Sequence, residues 1–98
     1  MTRSAIEWTD QATRQLDQAH DYIALSNCEE VADRITTQIV TAIQQLAIFP
    51  MSGRPGRVRG TRELVISSTP FIAAYGIDHD RIVIFAIYHG AQQWPEVF

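Results

Sequence analysis

Arg54, Arg57, Arg59 and Arg62 fall within nine positions, so half of the chain's eight basic residues stand in one short stretch. Guanidinium groups at that density can take up carboxylates or phosphates through paired, charge-assisted hydrogen bonds. The stretch Gly53-Arg54-Pro55-Gly56-Arg57-Val58-Arg59-Gly60-Thr61-Arg62-Glu63-Leu64 also holds three of the five glycines. It therefore reads as a turning loop. It can be an arginine-bearing recognition loop, since loops carry function disproportionately. It can equally be a solvated connector, since most surface charge does nothing specific.

A second set of residues could do acid–base chemistry: Arg62, Glu63, Tyr75, Tyr88 and His89. An imidazole moves protons near neutral pH, and an arginine steadies a developing phosphorane-like charge. Those are the parts of a metal-free ribonuclease. The plainer reading makes both tyrosines core aromatics with a wet hydroxyl, and His89 a hydrogen-bonding residue at a strand end. Metal chemistry is not indicated, because His20, His79, His89 and Cys28 show no zinc-like spacing. There is no phosphate-cradling glycine motif with a lysine and no Gly-x-Ser-x-Gly. No cofactor is expected.

The elements that position these groups follow from periodicity. Ile6 and Trp8 alternate with Glu7 in Ser4–Trp8, the pattern of a strand. Thr9 or Asp10 offers an N-cap oxygen. Ala12, Leu16, Ala19 and Ile23 then recur at helical spacing. Ser26-Asn27-Cys28-Glu29 matches a capping box and predicts the start of a second helix there. The apolar face of that helix is Val31, Ile35, Ile39, Ala42, Ile43 and Leu46, and Phe49-Pro50 ends it. Three strand-like runs come after the arginine loop: Leu64–Ser67, Phe71–Ile77 and Arg81–Tyr88. The last two are separated by the tight turn Asp78-His79-Asp80. The expected fold is α+β in the order β-α-α-β-β-β. An antiparallel two-helix hairpin packs on a small, mostly antiparallel sheet. Trp94-Pro95 near the C-terminus suits either an exposed interface anchor or a buried pin for the tail, and burial is the commoner fate of tryptophan.

Ninety-eight residues make one domain, 1–98, with little room for a deep pocket. The 46% hydrophobic content argues for a folded chain. The formal charge is −3 and there is no lysine, so broad affinity for nucleic acid is not expected. Residues 1–50 carry three basic and seven acidic groups, and residues 51–98 five and four, which places any anion-facing surface in the second half. A single cysteine fits a reducing compartment. The N-terminus has no apolar run suited to a signal peptide or membrane span, so the expectation is a cytoplasmic protein.

Taken together, the run Gly53–Val65, then Thr-Pro-Phe-Ile-Ala-Ala-Tyr, then Ile-Tyr-His-Gly-Ala-Gln-Gln-Trp-Pro resembles the RelE/ParE superfamily of toxins. These are the toxin halves of type II toxin–antitoxin modules, also called plasmid stabilisation proteins. The resemblance implies the helical hairpin on an antiparallel sheet already read from the pattern. It also implies one of two activities: RelE-like members cut mRNA in the ribosomal A site, and ParE-like members poison DNA gyrase. RelE-like nucleases carry an arginine ahead of the Leu-Val-Tyr of the middle strand, where this chain has Ile72. They carry a basic residue after the last strand, where it has roughly Gln92, and often a C-terminal tyrosine, where it ends in Phe98. The likeness is thus closer to ParE, and no catalytic residue is then required. For a nuclease, Arg62 and His89 are the remnant chemistry. A third possibility is a degenerate module that binds antitoxin harmlessly. The implied partners are a cognate antitoxin and gyrase, with the ribosome as the alternative target. The implied surface is Arg54, Arg57, Arg59, Arg62, His89, Gln92, Gln93 and Trp94.

Overall fold

A computed structural model describes residues 4–90. The elements are β1 (Ala5–Trp8), α1 (Asp10–Ser26), α2 (Glu29–Gln44), β2 (Arg54–Pro55), β3 (Arg62–Val65), β4 (Phe71–Asp78) and β5 (Arg81–His89), with a short 3-10 turn at Gln45–Ala47. They form the expected α+β arrangement, with one additional strand. The sheet has five strands in the order β1-β5-β4-β3-β2. β2 is two residues long and lies inside the arginine loop. Arg54 and Pro55 carry no strand pattern, and only their pairing with Glu63 and Arg62 reveals them. The other antiparallel pairs are β3 with β4 and β4 with β5, while β1 runs parallel to β5.

Helix α1 begins where Thr9 accepts a hydrogen bond from the Ala12 amide at 3.1 Å, which satisfies one of the donors a helix start leaves open. The same hydroxyl donates to the Phe85 carbonyl of β5 at 3.1 Å, so the cap also fixes α1 to the sheet. The stripe Ala12, Leu16, Ala19 and Ile23 enters the core. The capping box does not form. Ser26 is still the last residue of α1, and its hydroxyl donates back to the Tyr22 carbonyl at 2.7 Å. Cys28 caps α2 without a side-chain bond. Only Asn27 and Cys28 separate the helices, so a residue that must be extended for capping is instead held by the continuing α1 turn. From α2, Ile39 and Ile43 are fully buried with Leu46 of the 3-10 turn, and Ile35 and Ala42 pack beside them. Ala32 is fully buried and Val31 only half so, a small rotation of the expected face.

β5 contains a bulge. Ala74 pairs with Ala86 and Tyr75 with Ile84, so Phe85 has no opposite residue. The extra residue re-phases the strand. Ile82, Ile84 and Ile87 therefore all enter the main core, while Ala86 and Tyr88 join Ala74 in a second cluster. This phase shift explains why the run reads as apolar almost throughout. Among the described residues, no helix is long and apolar enough to cross a membrane.

His20 of α1 meets Asp33 of α2 at 2.7 Å across the hairpin. That hydrogen bond is the main reason its pKa lies above the usual 6.5. Desolvation opposes the rise, and the charge of Asp33 and the hydrogen bond and charge of Asp21 add to it. A pKa raised in the folded state stabilises fully below 6.5, and the gain is lost as pH rises through the folded value. Thermal melts should therefore show a small fall in stability from pH 6 to pH 8 that His20→Gln abolishes. An unchanged slope in the variant would refute the assignment.

Candidate functional site

The arginine stretch is a hairpin. β2 and β3 are its arms, and residues 56–61 are its tip. The Gly56 amide donates to the Thr61 carbonyl at 2.8 Å, and the Thr61 amide to the Val58 carbonyl at 3.1 Å. Gly60 sits at φ +83°, a conformation that a side chain would strain, and this lets the tip reverse. The tip presents Arg57 and Arg59 to solvent on either side of half-buried Val58.

Three interactions attach the hairpin and the segment before it to the sheet. The Tyr75 hydroxyl, fully buried on β4, accepts from the Gly53 amide at 2.9 Å and donates to the Pro50 carbonyl at 2.8 Å. Arg62 of β3 donates through Nη2 to the Met51 carbonyl at 3.1 Å and also to the Gly53 carbonyl. Its Nε is buried, with no partner among the described residues. Glu63, only 2% exposed, takes Arg54 Nε at 3.2 Å and Nη2 at 3.0 Å on one oxygen, and the Arg57 amide at 3.0 Å on the other. The Arg57 guanidinium stands 3.9 Å from that second oxygen.

The four predicted arginines therefore have different occupations. Arg62 bonds the backbone of its own loop. Arg54 and Arg57 share Glu63 yet remain about half exposed, at 53% and 54%. Arg59 is exposed and has no partner among the described residues. Sequence reasoning placed Glu63 among possible acids and bases, whereas in the structure it is the hub of the loop. The one available signal was a lone carboxylate inside a run of arginines.

The acid–base set does not assemble. Arg62 lies opposite Tyr75, and His89 lies opposite Phe71, four residues along β4. At about 3.3 Å per residue that is about 13 Å of strand, too far for both to touch one reacting group. Tyr75 has both hydrogen-bonding directions occupied. Tyr88 is buried, and burial raises its pKa, with hydrogen bonds from Gln15 and Gln11 opposing the rise. His89 stacks edge-on against Phe71 with centroids 5.7 Å apart. With Gln15, Gln18, Tyr22 and Ile87 it lines a groove of about 480 Å³ beside α1. His20, His79 and His89 stand in three separate places: the helix hairpin, the β4–β5 turn and this groove. Gln92, Gln93 and Trp94 lie outside the described residues.

Two further features belong to α1. Tyr22 and Leu25 are 71% and 89% exposed. Gln15 accepts from the Ile87 amide at 2.9 Å, closing the edge of β5 beyond the end of β1.

Fold and loop together define a small two-layer α+β domain that carries an ordered arginine hairpin. The chain belongs to the family described as ParE toxin of the type II toxin–antitoxin system parDE, whose model matches residues 6–94. It is 43% identical over 97 residues to Y4kP of Sinorhizobium fredii (strain NBRC 101917 / NGR234), named as a candidate toxin, with 99% of both chains covered. Among solved structures it is similar to a chain of the chromosomal ParDE toxin–antitoxin system of P. aeruginosa. The TM-score is 0.82 and the identity 27%, over 89% of this chain and 96% of that one. It shares its fold with a chain of the RelBE2 toxin–antitoxin complex of Mycobacterium tuberculosis, with TM-score 0.64 and 24% identity over 89% and 98% of the two chains.

Proposed function

We propose that this chain is a toxin that poisons DNA gyrase and so blocks replication, and that a cognate antitoxin neutralises it by covering the arginine hairpin. The observation that carries this reading is the separation of Arg62 from His89. Arg62 and His89, the remnant set on which a nuclease reading would rest, are offset by about 13 Å of strand, and Arg62 is committed to loop carbonyls. What the chain does offer is a cationic hairpin, attached to the sheet through Arg62 and Glu63, that is suited to binding a protein. The similar ParDE and RelBE2 chains belong to toxin–antitoxin systems, which supports an antitoxin as the natural occupant. Antitoxin carboxylates would pair with Arg54, Arg57 and Arg59 through charge-assisted hydrogen bonds.

The test is supercoiled plasmid incubated with gyrase and ATP, with and without the protein. Accumulation of cleaved DNA that the antitoxin suppresses is the expected result. Gyrase activity unaltered at excess protein, with mRNA cut on translating ribosomes, would replace this reading with the nuclease one. Arg59→Glu should weaken antitoxin binding about tenfold, with a shallower salt dependence, as measured by calorimetry at two ionic strengths. A variant that binds like the parent would remove the hairpin from the interface.

A further inference from the structure

Glu63 is the one buried charged side chain among the described residues, at 2% exposure. Burying a carboxylate is costly unless every lone pair is answered, and an apolar residue in its place often serves stability as well. Here the carboxylate gathers donors from two parts of the hairpin: the Arg54 side chain on β2, and the Arg57 amide at the start of the tip. The β-ladder that should hold those arms together is only two residue pairs long, Arg54 with Glu63 and Pro55 with Arg62. One of those four residues is proline, which has no amide to donate. The backbone adds the Gly56–Thr61 bond at the tip, and Glu63 reinforces this short pairing from its side chain by tying both the β2 arm and the start of the tip to β3.

We propose that Glu63 is the positioning residue of the arginine hairpin. By holding Arg54 and the Arg57 backbone on one buried carboxylate, it presents Arg54, Arg57 and Arg59 in the geometry that meets the carboxylates of an acidic peptide. The proposal rests on the reading that the hairpin is the antitoxin surface. A loop already ordered in the free chain spares the partner the ordering cost, which is how preorganisation raises affinity.

Charge and geometry make opposite predictions for this residue. Removing Glu63's charge makes the hairpin more positive by one unit. Long-range electrostatics alone would then bring an acidic partner in faster and bind it more tightly. Loss of positioning would bind it more weakly. Two variants separate the effects. Glu63→Gln removes the charge at constant shape. Glu63→Asp keeps the charge but is one methylene too short to span Arg54 and the Arg57 amide together.

The experiment measures association and dissociation of the cognate antitoxin proposed above. The parent, both Glu63 variants and Arg59→Ala are compared, with thermal melts to set the folded fraction. Amide exchange at Arg57 in the free chain is followed in parallel. Both Glu63 variants should bind about tenfold more weakly per folded molecule, with faster exchange at Arg57. Unchanged or tighter binding by either one, while Arg59→Ala is impaired, overturns the positioning role. If Glu63→Gln does not fold, Glu63→Asp decides alone, because its charge is that of the parent. Binding indifferent to Arg59→Ala and to salt would instead refute the antitoxin reading of the hairpin, and the proposal with it.

Discussion

Tyr75→Ala should unfold the chain at a temperature more than about 12 °C below the parent. The side chain is completely buried in the main core, and truncating a buried aromatic costs about 3–5 kcal/mol. A kcal/mol shifts the midpoint of a domain this size by about 4–8 °C. Tyr75→Phe isolates the hydroxyl. It keeps the ring and strands the Gly53 amide and Pro50 carbonyl, both now satisfied by that one oxygen. The cost should be about 1–3 kcal/mol, the penalty for leaving a buried polar group unpaired. The loss should be local as well as global, so amide exchange at Gly53 should accelerate more than exchange in β4 and β5. If Tyr75→Phe melts with the parent, the hydroxyl does not hold the segment before the hairpin, and Arg62 alone carries that attachment.

Gly53→Ala is the second large effect, about 1–3 kcal/mol, with a different signature. An added Cβ would stand 2.6 Å from the Tyr75 hydroxyl and 2.8 Å from the Glu63 carbonyl oxygen. The first atom could move with its ring, but the second belongs to the β3 backbone. Relief must come from shifting the hairpin against the sheet, the usual consequence of overpacking. Because Gly53 and Tyr75 are in contact, their effects should not add. In a double-mutant cycle by thermal or urea denaturation, Gly53→Ala should cost less in the Tyr75→Ala background than in the parent. Strict additivity would mean that the Glu63 carbonyl, not Tyr75, is the obstacle. Either variant should also weaken partner binding if the hairpin must be held in place to be recognised.

The two-layer α+β order, the helix faces and the three longer strands could all be read in the chain. They rest on local periodicity, on caps such as Thr9 and on turn residues such as Asp78-His79-Asp80. The density of arginine at 54–62 likewise marked the candidate surface, and that run together with the motifs beginning at Thr69 and Ile87 marked the family. What each arginine does could not be read. Arg62 bonds loop carbonyls, Arg54 shares Glu63, and Arg59 faces solvent, because these roles depend on which carbonyls and carboxylates the fold brings within hydrogen-bonding reach. The same holds for β2, a strand only because Glu63 and Arg62 lie beside it. The bulge at Phe85 changes the face of every later residue in β5, and it is defined by the partner strand rather than by β5 itself. Ser26 matched a capping signal yet remained in α1, since tertiary packing fixes where a short turn falls. Arg62 and His89 looked like partners because each stands at a strand end. Only the register of three strands shows that the ends are different ones.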